Sequence, residues 1–191
     1  MIRHGKTPGN LVKQYIGRTD QSLAPEGIDE LKAIAGSEEF RKALDADHVE
    51  QIFVTPLKRT QESATILFPQ AKQTIVDDLR EMDFGIFEEK NYKDLEHSKE
   101  YSDWLDTYCE AKVPEGEEKA SFSRRSCDAF LKCLEDSKED TVYFLVHGGT
   151  IMSVMEAFAQ PKQEYYKWYA ENGHGYSAVW EDGLLKEIKA I

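Results

Sequence analysis

The sequence predicts an α/β protein, a three-layer α/β/α sandwich whose central sheet is mostly parallel but mixed. Short apolar runs of strand length alternate with longer segments that repeat apolar residues at helical spacing, the pattern of parallel strands joined by covering helices. The run at 141–146 is apolar almost throughout, as expected of a central strand covered on both faces. Residues 176–180 and 184–188 flank Asp182-Gly183, a turn signal that predicts a terminal antiparallel hairpin.

The first half of the chain predicts two helices and two strands. Pro25 opens a helical pattern, because proline suits the first turn of a helix. Residues 51–54 form a short buried-strand pattern, after which Thr55 is expected to cap a helix that starts at Pro56. Residues 73–76 predict the second strand.

The second half of the chain begins with an irregular segment. Residues 84–119 mix polar and aromatic residues without a sustained period, which predicts long loops and short helices that form a lid-like insertion over a site. Residues 121–135 predict a helix. Gly148-Gly149 turns the chain after the central strand, and apolar residues between Ile151 and Phe158 then recur at i, i+3, i+4 and i+7, so another helix is expected.

Composition limits the number of domains and the classes of partner. A chain of 191 residues is most simply one domain, predicted here to span 1–191. The net charge of −12 disfavours binding to nucleic acid or to an anionic membrane. The three cysteines lack disulfide or metal-site spacing, and there is no signal peptide or membrane-spanning run, so we expect a cytoplasmic protein. The edge of the C-terminal hairpin would allow a homodimer.

Basic side chains stand at three predicted strand ends. Ligands of parallel sheets bind beyond the carboxyl ends of the strands. His147 ends the central strand, Arg59 follows the strand predicted at 51–54, and Arg3 with His4 could follow a third. Guanidinium forks match phosphate oxygens, and the helix start at Gly148-Gly149 adds backbone N–H groups. Singly, each residue suits a surface turn, a core histidine or a solvated helix; their coincidence favours a phosphate pocket.

Four ordered segments resemble the motifs of the histidine phosphatase superfamily, the phosphoglycerate mutase-like group. They are Arg3-His4-Gly5-Lys6-Thr7 with Asn10, Thr55-Pro56-Leu57-Lys58-Arg59-Thr60-Gln61, Leu79-Arg80-Glu81-Met82-Asp83-Phe84-Gly85, and Val146-His147-Gly148-Gly149. The resemblance covers nearly the whole chain and is specific for the superfamily, not for a substrate. Family members carry an apolar strand before the first motif, where this sequence has only Met1 and Ile2, so we expect that strand to be missing or shortened.

The resemblance implies a nucleophile and a phosphate clamp. His4 would attack phosphorus and become a phosphohistidine, which requires a neutral ring nitrogen with a free lone pair. Arg3, Arg59 and His147 would hold the phosphate oxygens, where charge must be stabilised during transfer. His147 would serve best as a protonated donor, so the two histidines are expected to differ in protonation.

The resemblance also implies an acid. Glu81 would protonate the leaving alkoxide and later accept a proton from water, with Asp83 as the alternative. The expected substrate-binding residues, beside Arg3 and Arg59, are Gly5, Lys6, Thr7, Asn10 and Gly148. No metal or other cofactor is expected, because the histidine spacing offers no metal site and arginines supply the positive charge.

A second group of segments is similar to the small bacterial phosphatases, which include the α-ribazole phosphatases. These segments are residues 83–88, residues 101–105 and Pro114-Glu115-Gly116-Glu117. Cofactor-dependent mutases are typically longer. We therefore expect a metal-independent phosphomonoesterase that acts on a small phosphorylated metabolite, with α-ribazole phosphate as one candidate. A phosphoglycerate mutase and a non-catalytic phosphate-binding regulatory module are the alternatives.

Overall fold

A four-stranded parallel sheet forms the centre of the protein. In the computed structural model, which describes all 191 residues, the strand order is β1-β4-β2-β3. The strands are β1 (Ile2–Arg3), β2 (Gln51–Val54), β3 (Lys72–Ile75) and β4 (Tyr143–Val146). All three pairings are parallel, which confirms the predicted sheet. The strand at the first motif, β1, is only two residues long and already includes Arg3 of that motif, so it is short, as expected.

Eight α-helices surround the sheet. They are α1 (Pro8–Leu11), α2 (Pro25–Gly36), α3 (Glu38–Leu44), α4 (Lys58–Leu67), α5 (Tyr92–Leu95), α6 (Lys99–Asp106), α7 (Lys119–Asp136) and α8 (Gly148–Phe158). Short 3-10 turns lie at Ala46–His48, Asp77–Leu79, Gly85–Phe87 and Tyr165–Trp168. None of the helices has both the length and the apolar composition that crossing a bilayer requires.

Alternate residues of the strands face two separate cores, which makes the molecule three-layered. On one face, Phe53 and Phe144 stack with ring centroids 5.4 Å apart and join the core formed with α7 and α8. On the other face, Val54 and Leu145 join the core formed with α2, α3 and α4. Side chains alternate between the faces of a strand, so a continuous apolar run is needed to fill both cores. Truncating the fully buried Leu145 to alanine would cost about 2–5 kcal/mol of stability.

The register of the sheet brings three strand ends to one edge. Arg3 of β1 lies opposite Val146 of β4, and β2 runs parallel beside β4. The residues that follow the three strands, His4, Thr55 and His147, therefore leave the sheet at the same edge. This edge is where parallel sheets place their ligands.

The helix after β2 begins later than predicted. The sequence pattern placed Thr55 as its cap and Pro56 at its first position, but α4 starts at Lys58 and Leu57 is its N-cap residue. The hydroxyl of Thr55 instead lies 2.9 Å from that of Thr60. The prediction was wrong because the Thr55 side chain serves a buried network of side chains rather than the first N–H groups of the helix.

The C-terminal hairpin forms as predicted. Strands β5 (Tyr176–Glu181) and β6 (Leu184–Ala190) pair antiparallel. Asp182 and Gly183 join them with φ angles of 55° and 76°, the left-handed conformations that a type I′ turn requires. Directly before the hairpin, Gly175 forms an isolated antiparallel bridge with Ile2 of β1, so antiparallel pairing with the main sheet occurs only beside its outer strand β1. A homodimer through the hairpin stays a prediction.

The segment at 84–119 consists of loops, one 3-10 turn and the short helices α5 and α6. It has its own small core, in which Phe87, Tyr101 and Trp104 are buried. The hydroxyl of Tyr101 lies 2.8 Å from that of Tyr15, which ties the segment to the loop after α1. Tyr101 and Trp104 are thus packing residues, and a lid function for the segment stays a prediction.

Candidate active site

His4 is buried at the end of β1 and held in one ring orientation. Its backbone N–H donates to Val146 O of β4 at 3.0 Å, and Asn172 Nδ2 donates to its carbonyl at 2.9 Å. Ring atom Nδ1 lies 2.7 Å from Gly5 O, and because a carbonyl only accepts, Nδ1 carries the proton. The other nitrogen, Nε2, makes no hydrogen bond within the protein. His4 therefore presents an oriented lone pair, as a nucleophile must.

His147 lies edge-on to His4, with ring centroids 5.2 Å apart and planes at 64°. It is the N-cap residue of α8 and is fully buried. Arg59 Nε donates to its Nδ1 at 3.3 Å, and Thr55 Oγ1 lies 3.0 Å from its Nε2. A guanidinium can only donate, so Nδ1 accepts and Nε2 donates to Thr55. The Thr55 hydroxyl in turn contacts that of Thr60 at 2.9 Å.

Arg59 is the largest side chain that is fully buried in the protein. One terminal nitrogen donates to Thr19 O at 2.8 Å and the other to Gly17 O at 2.7 Å. Burial lowers the pKa of Arg59 to about 10, so the guanidinium keeps its charge at neutral pH. All three guanidinium nitrogens of Arg59 thus donate hydrogen bonds, two to carbonyls and one to His147. These bonds fix a positive charge beside the two imidazoles.

The loop that holds Arg59 is itself held by a carboxylate. Glu88 accepts hydrogen bonds from the backbone N–H groups of Gly17, Arg18 and Thr19, and from the Thr19 hydroxyl. The N–H of Phe84 also donates to it at 3.0 Å. A side chain at Gly17 would overlap Met82 O, so the loop passes this point only with glycine. Glu88 therefore acts on Arg59 through the loop backbone.

Arg3 has a donor that the protein leaves unused. Its NH1 donates to Ala170 O at 2.9 Å, and its guanidinium carbon lies 5.3 Å from the centre of the Tyr169 ring. Its Nε is buried and has no hydrogen-bond partner. A Cβ added to Gly148 would lie 3.4 Å from that Nε, so the donor is next to the start of α8. Such a buried donor is costly unless an acceptor reaches it.

The pKa values of His4 and His147 both lie well below the ordinary value of 6.5. Burial is the larger cause, because it disfavours the charged ring, and the nearby Arg59 guanidinium lowers both pKa values further. The neutral state expected for His4 is consistent with this environment. His147 Nδ1 accepts from Arg59 here, so the ring is neutral in this arrangement, and its protonation as a donor to phosphate stays a prediction.

Glu81 lies at the N-terminus of α8. Its carboxylate accepts from Met82 N at 2.9 Å and from Gly149 N at 3.0 Å, and a side chain at position 149 would overlap it. Asp83, the alternative acid, accepts from Gly85 N at 2.8 Å and lies 3.3 Å from Arg18 NH1. The structure therefore brings Glu81, and not Asp83, next to the helix start that carries His147.

The residues predicted to bind substrate around the first motif have different environments. Gly5 donates its N–H to Ser63 Oγ at 2.9 Å, and a side chain there would meet Leu31. Thr7 and Asn10 form the capping box of α1, so they shape the loop. Lys6 pairs with Glu30 at 2.6 Å on the surface.

Three contributors were not singled out from the sequence. Glu88 stood only within a Phe-Gly-x-Phe-Glu pattern, and Thr55 was interpreted as a cap. Asn172, which bonds to His4 O and lies 3.4 Å from Asn10 Oδ1, carried no local signal because its partners are remote in sequence. No group of three or more His, Cys, Asp or Glu side chains is arranged to hold a metal ion.

A comparison with models of known protein families shows which family the chain belongs to. The family model of the histidine phosphatase superfamily (branch 1) matches residues 1–187. The chain belongs to this superfamily. The four motifs that resemble it lie at the strand ends and helix start described above, and the α/β fold is that of the superfamily.

Individual relatives are more distant. A protein of Escherichia coli named adenosylcobalamin/alpha-ribazole phosphatase is 23% identical over 178 residues, which cover 91% of this chain and 85% of that protein. A probable phosphoglycerate mutase of Yersinia pestis is 27% identical over 164 residues, covering 81% of this chain and 73% of that protein. The crystal structure of the alpha-ribazole phosphatase from Shigella flexneri superposes with a TM-score of 0.83 at 21% identity, covering 97% of this chain and 91% of that one. These likenesses support the fold and the superfamily.

Proposed function

We propose that the protein is a cytoplasmic phosphomonoester hydrolase that needs no metal ion and acts through a phosphohistidine at His4. The observation that carries the proposal is the free Nε2 of His4 beside a buried positive cluster. Arg59 and the unpartnered Nε of Arg3 belong to that cluster. The ring centroid of His147 lies 5.2 Å from that of His4. A phosphoryl group at this point would meet a nucleophile and donors to its oxygens at once.

The first half-reaction transfers the phosphoryl group to His4. The lone pair on His4 Nε2 forms a bond to phosphorus while the bond from phosphorus to the alcohol oxygen breaks. Glu81, in its protonated form, gives its proton to that oxygen, so the alcohol leaves neutral. The backbone bonds from Met82 and Gly149 to the Glu81 side chain support this assignment because they fix where the proton is delivered.

The second half-reaction returns the enzyme to its starting state. The oxygen of a water molecule attacks phosphorus, and Glu81, now a carboxylate, takes a proton from that water. The N–P bond breaks, His4 regains its lone pair, and inorganic phosphate leaves. Splitting the displacement into two steps is the usual benefit of a covalent intermediate.

His147 can assist in this scheme although its pKa is lowered. Its Nδ1 is directed at Arg59, on the side of the positive cluster. A doubly charged phosphate that accepts from Arg59 in place of Nδ1 would oppose the effects of burial and of Arg59 on the pKa of His147. His147 would then carry a proton on Nδ1 and donate it to a phosphate oxygen. Protonation of His147 is thus expected to accompany substrate binding.

A cavity beside the cluster supports a small leaving group. It holds about 330 Å³ and is open to solvent, within the range of small-molecule sites. Its lining residues are Arg3, Asn10, Lys13, Gln14, Tyr15, Tyr92, Tyr169 and Asn172. Amides and phenols suit a polar alcohol with a flat or hydroxylated group. Because a relative is named alpha-ribazole phosphatase, α-ribazole phosphate is the first substrate to test, followed by sugar phosphates, phosphoglycerates and nucleotides.

The test compares wild type, His4→Ala and His97→Ala with p-nitrophenyl phosphate in the presence of a chelator. The ring of His97 is 94% exposed, which makes it a matched control. We expect turnover and an acid-labile phosphoenzyme in wild type and His97→Ala, and neither in His4→Ala. Equal activity in all three would refute the mechanism. Phosphate binding without a phosphoenzyme would favour the non-catalytic alternative.

A phosphoglycerate mutase is the second candidate, favoured by the similarity to the Yersinia pestis protein. A mutase must return the phosphoryl group of His4 to an acceptor hydroxyl before water reaches it. Incubation with 3-phosphoglycerate distinguishes the two reactions. Release of inorganic phosphate supports the hydrolase, and isomerised phosphoglycerate without phosphate release supports the mutase.

A further inference from the structure

Arg125, on α7, lies against the backbone of the segment that carries Glu81. One terminal nitrogen of its guanidinium donates to Asp78 O at 2.9 Å and to Arg80 O at 2.8 Å. The other donates to Glu81 O at 3.0 Å. Three backbone carbonyl groups of this segment thus accept hydrogen bonds from one planar guanidinium, and the last of them belongs to Glu81, the proposed acid.

Glu117 fixes the orientation of that guanidinium. Its two carboxylate oxygens accept from Arg125 Nε at 2.8 Å and from NH2 at 2.6 Å, the bidentate geometry that makes such pairs strong and directional. Burial alone would raise the pKa of Glu117, but the hydrogen bond and charge of Arg125 hold it below its ordinary value. The same carboxylate accepts from Asp83 N at 2.9 Å, so both sides of Glu81 are tied to this pair.

All five N–H groups of Arg125 are used in this way, three on backbone carbonyls and two on Glu117. The side chain is 20% exposed, so its guanidinium interacts mainly with this segment and with Glu117 rather than with solvent. On the opposite side, Thr150 Oγ1 of α8 donates to Leu79 O at 3.0 Å. The backbone before Glu81 is therefore clamped between α7 and α8.

We propose that Arg125 is a positioning residue for the general acid: it sets the place of the Glu81 carboxyl group without touching the substrate. This inference rests on the proposed function, in which Glu81 protonates the leaving oxygen. Without Arg125, three carbonyl groups of the segment lose their hydrogen-bond donor. The Glu81 carboxyl group then no longer has a fixed distance to the reacting bond. Proton delivery suffers even if His4, Arg3 and Arg59 remain in place.

The leaving group distinguishes this role from a merely structural one. An alkoxide is a strong base and needs a proton as the P–O bond breaks, whereas p-nitrophenolate is a weak base and leaves with little help. A variant that misplaces the acid therefore loses activity on alkyl phosphates selectively. A variant that only unfolds part of the enzyme loses activity on both substrates by the same factor.

The experiment measures kcat/KM, which reports phosphorylation of His4, for glycerol phosphate and for p-nitrophenyl phosphate. The variants are Arg125→Met, Arg125→Lys and Glu81→Gln, with Arg124→Met as control because Arg124 is the exposed neighbour on the same helix. We expect Arg125→Met to lower kcat/KM for glycerol phosphate at least about tenfold more than for p-nitrophenyl phosphate, since a positioned acid contributes about 10²–10⁴-fold. Arg124→Met should change neither.

Each outcome has a separate meaning. Equal losses on the two substrates in Arg125→Met, while Glu81→Gln shows the selective loss, would overturn the role of Arg125 and leave the acid assignment intact. Equal losses in Glu81→Gln itself would overturn that assignment and this inference with it. If Arg125→Met does not fold, Arg125→Lys keeps the charge but loses the fork, and a selective loss of smaller size is expected there.

Discussion

Arg59 and His147 share a hydrogen bond of 3.3 Å in which the guanidinium Nε donates to the imidazole Nδ1. Both side chains are fully buried. His147 directly follows β4, whereas Arg59 lies in the first turn of α4, the helix after the neighbouring strand β2. The bond fixes the tautomer of His147, because Nδ1 must accept and Nε2 must carry the proton. The positive cluster of the site is therefore a geometric unit and not a set of independent charges.

Activity should require the planar guanidinium fork of Arg59 and not only its positive charge. In Arg59→Lys an ammonium replaces a planar group that reaches Gly17 O, Thr19 O and His147 together. We expect kcat/KM for p-nitrophenyl phosphate to fall by about 100-fold or more, the usual effect of removing one such donor. Arg41→Lys is the control, since Arg41 is an exposed partner of Asp47. Full activity in Arg59→Lys would show that a positive charge is sufficient at this position without the planar fork.

His4, the proposed nucleophile, should stay active in acid. Burial, followed by the charges of Arg59 and Arg3, lowers the pKa of His4 well below 6.5, so its lone pair is retained as the pH falls. After correction for ionisation of the substrate, we expect no loss of kcat/KM from His4 between pH 7 and pH 5.5. An unshifted histidine would lose about tenfold over this range. Such a loss, with a midpoint near 6.5, would show that His4 is solvated.

Stability should fall as the pH is lowered through the same range. Above pH 6.5 neither the folded nor the unfolded chain protonates His4 or His147, so they have no effect. Below 6.5 the unfolded chain binds protons that the folded chain refuses. The free energy of unfolding then falls by up to about 1.4 kcal/mol per pH unit for each histidine.

Urea unfolding at pH 7.0 and 5.5 measures this effect. Asp45 raises the pKa of the exposed His48, which works in the opposite direction, so the comparison is made between variants. His4→Gln should lose about 1 kcal/mol less than wild type over the interval, while His97→Gln should behave as wild type. Parallel losses in all three proteins would mean that His4 charges freely in the folded state.

Alanine should be harmful at one helical glycine and harmless at another. A Cβ at Gly149 would overlap the Glu81 carboxylate, whereas a Cβ at Gly36, also in a helix, meets nothing within 4 Å. We expect Gly149→Ala to lower kcat/KM for glycerol phosphate at least about tenfold, because Glu81 must move. Gly36→Ala should keep activity and gain up to about 1 kcal/mol of stability. Comparable kinetics of the two variants would argue against the position assigned to Glu81.

Glu88 should affect Arg59 at a distance. In Glu88→Gln one oxygen becomes an amide donor that faces the N–H groups of the loop at Gly17–Thr19. We expect a loss of about 1–3 kcal/mol in stability, as for an unsatisfied buried donor, together with weaker inhibition by inorganic phosphate. The adjacent Glu89 is exposed, and Glu89→Gln should leave both measurements unchanged. Unaltered phosphate inhibition in Glu88→Gln would separate the loop from the site.

The sequence predicted what depends on local pattern. The apolar runs gave the parallel strands, and parallel strands bring Arg3, Arg59 and His147 to one edge, although their catalytic roles stay predictions. The start of α4 was missed because Thr55 serves a partner, His147, that is 92 residues away. The lowered pKa of His147 also has no local signal in the sequence, since it comes from burial and then from Arg59, which is remote in sequence. No sequence pattern marks Arg125, because its partners are backbone carbonyl groups, which every sequence contains.

The loop at 170–175 is bonded to β1 and to His4, the proposed nucleophile. Ala170 O accepts from Arg3 NH1, and Asn172 donates to His4 O, across 167 and 168 positions of sequence; the Arg3 N–H donates to His174 O at 2.9 Å. Contacts between such distant positions form slowly, because a long loop must close before they stabilise anything. During refolding, recovery of activity should therefore lag behind recovery of helical circular dichroism, with the meeting of the two ends of the chain as the late step.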